Sequence, residues 1–224
     1  MTRAGAPEPS PPPRPPPGTL RLVTPASWYD LDLVPRTRRA SIRAEVQARV
    51  GPDPSRAEVR RGLTALLLRA SSEAAERGAV AASMYSEVID GTAVSASLVA
   101  MVQRGDGSDG GDGDADLAAL AARLNAEPGG PQGGPQGGPG EAVVVELLAG
   151  PAVRLRRRHR AHAGRQSVEV ESTQFLIPVD GTGVRVVLNF STPSLRAAAA
   201  FAELFDAIAK SVGWSYPPGP PDRR

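Results

Sequence analysis

The chain has 224 residues, of which 41% are hydrophobic and only 4% aromatic, with 26 basic and 24 acidic side chains and no cysteine. This length and composition predict a single domain with a core built mainly from Ala, Val and Leu. The lack of cysteine excludes disulfides, thiolate nucleophiles and thiolate metal sites, and a net charge of +2 requires any electrostatic function to be local.

The N-terminal segment, residues 1–18, is rich in proline and is predicted to be a disordered, polyproline II-like tail. Its Pro11–Pro17 stretch is compatible with a PxxP ligand, although the composition favours a plain disordered tail. The segment lacks the apolar region of a signal peptide, and no stretch approaches 18 uninterrupted apolar residues. We therefore expect a cytoplasmic protein without membrane insertion, with one domain over residues 19–216 and a second disordered tail over 217–224.

Two short extended segments and a helix are predicted first. The extended segments cover Thr19–Val23 and Ser27–Leu33, and the second contains both Trp28 and Tyr29. Apolar residues then recur every four positions up to Val50, which predicts a helix from about residue 37 to residue 50.

A second amphipathic helix and a hairpin follow. Ser55 and Glu58 have the spacing of a capping box, and the apolar stripe of this helix continues to Gly78. The pattern then changes to period two on both sides of Asp90-Gly91, a dipeptide typical of tight hairpin turns. Two helices and a β-hairpin are therefore predicted in the N-terminal half.

Residues 104–140 are predicted to be a flexible Gly-, Asp- and Pro-rich excursion that contains one short helix, Leu117–Leu124. Four aspartates in the excursion resemble a calcium cluster; they are Asp106, Asp109, Asp112 and Asp114. An EF-hand beginning at Asp112 would need Gly in place of Leu117 and Glu in place of Arg123, so that motif fails. The sequence therefore predicts a solvated loop here.

The C-terminal half is predicted to contain four strands and a terminal helix. The strands cover Val143–Ala149, residues 152–160, Ser167–Val179 and Val184–Phe190. A two-residue turn at Asp180-Gly181 would place Phe175 opposite Val186 and Ile177 opposite Val184, and a longer turn keeps the same residues on the same face. The helix is predicted to be capped by Thr192, to begin at Pro193 and to end near Trp214, with both of its phenylalanines facing the core.

An arginine-rich strand is the most unusual feature of the sequence. Six arginines lie between Arg154 and Arg165, and Glu169 and Glu171 follow at once. One hairpin register pairs Arg154 with Glu171 and Arg156 with Glu169, and the next pairs Arg156 with Glu171 and Arg158 with Glu169. Both registers put arginine opposite glutamate, because a shift of two residues leaves each side chain on the same face of the sheet. Val153, Leu155 and Arg157 lie on the other face. The ribbon is therefore predicted to neutralise part of its own charge.

No catalytic or cofactor-binding motif accompanies these elements. His159 and His162, the only histidines, fall on opposite sides of a strand, and no P-loop, nucleophile elbow or dinucleotide fingerprint is present. Asp30 and Asp32 lie on the same side of a possible strand, as paired carboxylates would, although solvent exposure explains the same alternation. We therefore expect no enzyme activity, no cofactor and no metal.

The C-terminal segment, "RVVLNFSTPSLRAAAAFAELFDAIAKSVGW", resembles small actinobacterial proteins with the Mog1/PsbP-like α/β sandwich. The chain uses arginine almost to the exclusion of lysine, which indicates GC-rich codon usage. Such codon usage agrees with an actinobacterial origin. The resemblance implies an α+β fold: a single antiparallel sheet flanked by helices and closed by a C-terminal amphipathic helix. It also implies a binding or assembly role, although fold analogy alone does not set function.

We therefore expect a non-catalytic interaction or assembly module whose partner is an unknown protein. The candidate contact residues are Arg154, Arg156, Arg158 and Arg160 on the sheet, with Trp28 and Tyr29 at an edge. The alternative is an anion or nucleic-acid binder that uses the same arginines, although the interleaved aromatic residues of single-strand binders are missing. A third hypothesis, an enzyme that uses Asp30 and Asp32, requires those carboxylates to converge on a pocket.

Overall fold

The computed structural model describes residues 19–104, 117–126, 140–163, 166–179 and 182–215. The strands in these ranges are β1 (Thr19–Arg21), β2 (Tyr29–Asp30), β3 (Ala79–Ile89), β4 (Thr92–Arg104), β5 (Glu141–Leu147), β6 (Gly150–Ala163), β7 (Gln166–Val179), β8 (Val184–Thr192) and β9 (Gly213–Ser215). The helices are α1 (Arg38–Val50), α2 (Ala57–Glu76), α3 (Leu117–Ala126) and α4 (Ala198–Lys210). The two predicted tails and most of the predicted excursion, including its aspartate cluster, lie outside the described residues.

Seven strands form one antiparallel sheet in the order β2-β3-β4-β8-β7-β6-β5, and β1 pairs separately with β9. The predicted α+β class with an antiparallel sheet flanked by helices is confirmed. The two-stranded sheet is an addition to the prediction, because pairing of Leu20 with Trp214 joins two distant parts of the chain.

The helices cover both faces of the sheet. Leu98, Phe190 and Thr173 occupy one cross-strand row, and the face that they share packs against α4. The neighbouring row contains Val99 and Leu155 on the opposite face. There, α1 and α2 pack near Val99, while α3 packs near Leu155. Helix α4 therefore lies alone on its face among the described helices.

The first two helices confirm the predicted periodicity but not the predicted cap. Ile42 and Val46 are the buried residues of α1, as the spacing requires. The capping box at Ser55 does not form, because Asp53 accepts hydrogen bonds from the Ser55 backbone N–H and hydroxyl and caps a short 3₁₀ turn at Pro54–Arg56. An aspartate two residues upstream therefore replaces the predicted capping residue.

Both C-terminal hairpins keep their predicted faces in registers displaced by two residues. Ile177 lies opposite Val186 and Phe175 opposite Leu188, as a turn longer by two residues requires. In the arginine hairpin, Arg158 lies opposite Glu171. This register differs by two residues from the second predicted register. The predicted faces are therefore correct, whereas both predicted sets of residue pairs are wrong.

The C-terminal helix is shorter than predicted at both ends. Thr192 is the last residue of β8, where its hydroxyl donates to the Ser95 carbonyl at 2.7 Å and accepts from the Ser194 N–H at 3.0 Å. A 3₁₀ turn, Leu195–Ala197, leads into α4. Trp214 lies in β9 rather than at the helix end. The predicted stripe is otherwise confirmed, because Phe201, Phe205 and Ile208 are buried.

Candidate interaction site

Strand β6 presents its predicted arginines to α4. Asp206 projects from α4, and one of its oxygens, Oδ2, accepts hydrogen bonds from Arg154 Nη1 and Arg156 Nη2, each at 2.8 Å. The three side chains are only 20 to 28% exposed. Two of the four predicted contact residues therefore hold α4 against the sheet and have their charge partly neutralised.

The other two arginines of this face lie further along β6. Arg158 Nε donates to Glu171 Oε2 at 3.0 Å, and the Arg158 side chain is 54% exposed. Arg160 lies directly opposite Glu169, and both residues are exposed. The structure therefore brings the four arginines into one row and divides them into two covered and two exposed residues.

The alternate residues of β6 face α3. Arg157 Nη2 donates to the Leu124 carbonyl at 3.1 Å, which fastens β6 to the end of α3. His159 lies on the same face, with its Nδ1 3.5 Å from the Ser172 hydroxyl. The side chain of His162 lies outside the described part of the structure.

Trp28 and Tyr29 lie in the core, so the structure gives no support to the edge-contact hypothesis. They are 2% and 6% exposed. The Trp28 ring packs edge-on against Phe205 at 6.4 Å between centroids, and the Arg49 guanidinium lies 4.1 Å above the Tyr29 ring. Burial raises the pKa of Tyr29, as expected for a phenol removed from water. A partner cannot reach either ring without opening the core.

Asp30 and Asp32 have separate hydrogen-bond partners. Asp30 accepts from the Ser83 hydroxyl at 2.7 Å, whereas Asp32 accepts from the Val34 N–H at 2.9 Å. The pKa of Asp32 is lowered by its hydrogen bonds from Thr37 and Val34. These contacts give each carboxylate a structural role, and no described cavity is lined by both.

The described ranges contain neither a metal-binding cluster nor a membrane-spanning helix. No group of three or more His, Cys, Asp or Glu side chains is placed to hold a metal ion. None of the four helices is both long and apolar enough to cross a membrane.

A groove open to solvent lies between α1 and α2 in the described part of the chain. Its volume is about 880 Å³. Its lining residues come from both helices: Arg39, Arg43, Ala44, Val46, Gln47, Ala57, Arg60, Arg61, Thr64, Ala65 and Leu68. Four arginines and five apolar side chains are present among them, and no carboxylate is. We call this cavity the helix-pair groove.

The four arginines of the helix-pair groove differ in how they are held. Arg60 Nη1 donates to the carbonyls of Gly51 and Asp53 at 2.8 and 2.7 Å, and Arg61 pairs with Glu58. Arg39 and Arg43 are exposed, and neither guanidinium has a hydrogen bond or ion pair with another described residue. The α1 side of the groove therefore presents two unneutralised positive charges.

Sequence reasoning missed this groove because it treated α1 and α2 only as cover for the core. One signal was present: Arg39 and Arg43 are four residues apart, so they share a face of α1. Their convergence with Arg60 depends on how α1 packs on α2, which helical periodicity alone does not specify.

No protein-family model and no curated protein matches this chain. Among solved structures, it is similar to LpqN of Mycobacterium tuberculosis, a protein involved in cell envelope biogenesis. The match covers 91% of this chain and 87% of that chain, with 13% identity and a TM-score of 0.42. The Mog1/PsbP-like assignment stays a prediction.

Proposed function

We propose that this protein is a non-catalytic interaction module that binds an acidic segment of a partner protein in the helix-pair groove. The observation that carries the proposal is the composition of the groove, which combines an apolar floor with four arginines and has no carboxylate in its lining. A non-catalytic binding role is also what the Mog1/PsbP-like resemblance implies.

The helix-pair groove is a better candidate than the arginine strand because its charges are less neutralised. Arg154 and Arg156 are committed to Asp206, and Arg158 is committed to Glu171. A ligand that took these arginines would have to replace existing ion pairs. At the groove, Arg39 and Arg43 would gain a carboxylate without losing another, and electrostatic complementarity of this kind favours both association rate and specificity.

An acidic protein segment fits the groove better than a nucleic acid does. The accessible floor contains Ala44, Ala65 and Leu68, and a sugar-phosphate backbone offers little apolar surface to bury against them. None of the lining residues is aromatic, so bases would have no ring on which to stack. Apolar side chains flanked by Asp or Glu would use the floor and the arginines together.

The test is binding of a fluorescein-labelled acidic peptide, with leucines on one side and glutamates beside them, measured by fluorescence anisotropy. We expect the double substitution Arg39→Glu and Arg43→Glu to weaken binding at least about tenfold, because both unneutralised charges are reversed. Wild-type binding should also weaken as the salt concentration rises, because exposed charges are screened.

The matched control makes the same change of charge away from the groove. Arg77 and Arg196 are exposed and do not line it, so Arg77→Glu with Arg196→Glu should change affinity less than about twofold. Equal weakening by the two double variants would mean that only the net charge of the protein matters. Absence of wild-type binding at low salt would overturn the proposal.

A further inference from the structure

We infer that the acidic segment bound in the helix-pair groove is an amphipathic α-helix with acidic residues along both edges of its apolar face. This inference rests on the proposed function and specifies the conformation of the partner. It follows from three features: the helical walls, the small apolar floor and the placement of the arginines.

The walls of the groove are two antiparallel helices. Arg38, in the first turn of α1, donates to the Ser72 hydroxyl near the end of α2, at 2.7 Å. Arg60, near the start of α2, donates to the carbonyl of Gly51, which follows α1. Contacts at both ends therefore keep the two helices side by side along the groove.

Helical walls have little to offer an extended peptide. Backbone N–H and C=O groups within α1 and α2 already bond to one another, apart from the helix ends. An extended chain in the groove would lose water from its own backbone groups without gaining ladder partners. A helical segment satisfies its backbone internally and presents only side chains to the floor. The groove therefore favours a helix as its occupant.

The floor favours close packing of that helix. Ala44, Ala57 and Ala65 carry only a Cβ, while Leu68 supplies larger apolar surface between the helices. Val46 lies beneath them and is itself only 1% exposed. Small residues allow a third helix to approach closely, and its larger side chains would then fill the space above the alanines. A face of leucine with some alanine is the complementary composition.

The arginines determine where the acidic residues of the partner lie. Arg39 and Arg43 lie one turn apart on α1, while Arg60 and Arg61 lie on α2 at the other side of the groove. The first turn of α2, which includes Ala57, adds the positive end of a helix dipole near Arg60. An apolar helix face with glutamates along both edges would meet positive charge on each side.

The experiment compares three synthetic peptides of about the length of α1, which has 13 residues. The first has a leucine and alanine face with glutamates on both edges, and the second carries two central prolines in place of exposed residues. The third has the composition of the first in an order without helical periodicity. Each is titrated with the protein, and isotope-edited infrared spectroscopy of a peptide with labelled backbone carbonyls reports its conformation when bound.

We expect the first peptide to bind at least about tenfold more tightly than the other two and to gain helicity on binding, because proline breaks the helix and scrambling removes its apolar face. Equal binding of all three peptides, still sensitive to Arg39→Glu with Arg43→Glu, would overturn the helical conformation and leave the proposed function standing. Failure of all three to bind would overturn both.

A second variant tests the floor independently of charge. Ala65 is exposed on α2, and Ala65→Gln keeps a good helix-forming residue while it places a longer polar side chain over the floor. Binding of the first peptide should weaken at least about fivefold, whereas Ala119→Gln on α3 serves as the control outside the groove. Unchanged binding to Ala65→Gln, with thermal unfolding like that of the wild type, would exclude the floor as the contact surface.

Discussion

At the scale of single residues, Asp206 shows how the charge of the arginine strand is managed. Its Oδ2 accepts from both Arg154 and Arg156, and all three side chains are largely removed from solvent. The Arg158–Glu171 pair on the same face is more open on its arginine side. Because water weakens exposed ion pairs, these two carboxylates should contribute differently to stability.

We predict that Asp206→Asn lowers the free energy of unfolding by about 1 to 3 kcal/mol, because it leaves two partly buried guanidinium groups without a counter-charge. Glu171→Gln is the matched substitution in the pair whose arginine is 54% exposed, and it should cost about 0 to 1 kcal/mol. Urea unfolding of the two variants beside the wild type measures both values. Equal losses would show that Asp206 is not a special fastening point for α4.

The residue scale also separates local from distant partners. The sequence predicts that arginine faces glutamate across the β6–β7 hairpin, because any shift of register by two residues keeps the same side chains on the same face. The pairing of Arg154 and Arg156 with Asp206 was not predictable, because Asp206 is about 50 residues away on an element whose docking angle is a tertiary property. The burial of Trp28 is comparable, since Phe205 on α4 covers it.

At the scale of elements, the β3–β4 hairpin shows where local chemistry was sufficient. Asp90 and Gly91 both have positive φ, 49° and 74°, as the predicted tight turn requires. Strand pairing continues from Ile89 and Thr92 immediately beside them. Gly62 provides a contrast, because it lies inside α2, has no positive φ and has open space where a Cβ would be.

Alanine substitutions at these two glycines should therefore have opposite effects. Gly91→Ala should destabilise the protein by about 1 kcal/mol, because a Cβ is strained at positive φ. Gly62→Ala should stabilise it by about 0.5 to 1 kcal/mol, because the backbone loses freedom mainly in the unfolded chain. Thermal and urea unfolding show whether each substitution raises or lowers the free energy of unfolding. A stabilising Gly91→Ala would contradict the turn geometry.

At the scale of the whole molecule, α4 connects distant parts of the sheet. Its Phe205 stacks on Phe190 of β8 at 4.8 Å between centroids and packs edge-on against Trp28. The same core includes Ala96 from β4 and Ala152 from β6. Because one helix contacts residues from so many strands, loss of its packing should weaken the fold as a unit.

We predict that Phe205→Ala lowers the free energy of unfolding by about 3 to 5 kcal/mol, which is the usual cost of removing a buried phenylalanine. In the wild type, unfolding followed by tryptophan fluorescence should coincide with unfolding followed by far-ultraviolet circular dichroism, because Trp28 reports the core that holds the sheet together. Leu204→Ala, on the same helix at a partly buried position, is the control and should cost less. Separate transitions in the wild type would contradict the predicted single domain.

The sequence by itself determined the class of fold, the periodic faces of the helices and the alternation of the long strands, because these depend on residues close together in the chain. It also determined the β3–β4 turn, whose geometry Asp90 and Gly91 specify locally. Only the tertiary structure decided that Trp28 is buried, that Asp206 takes two of the arginines and that Arg39 and Arg43 meet Arg60 across a groove. Each of these results depends on how helices dock, and helix docking is set by long-range packing of many side chains rather than by any local pattern.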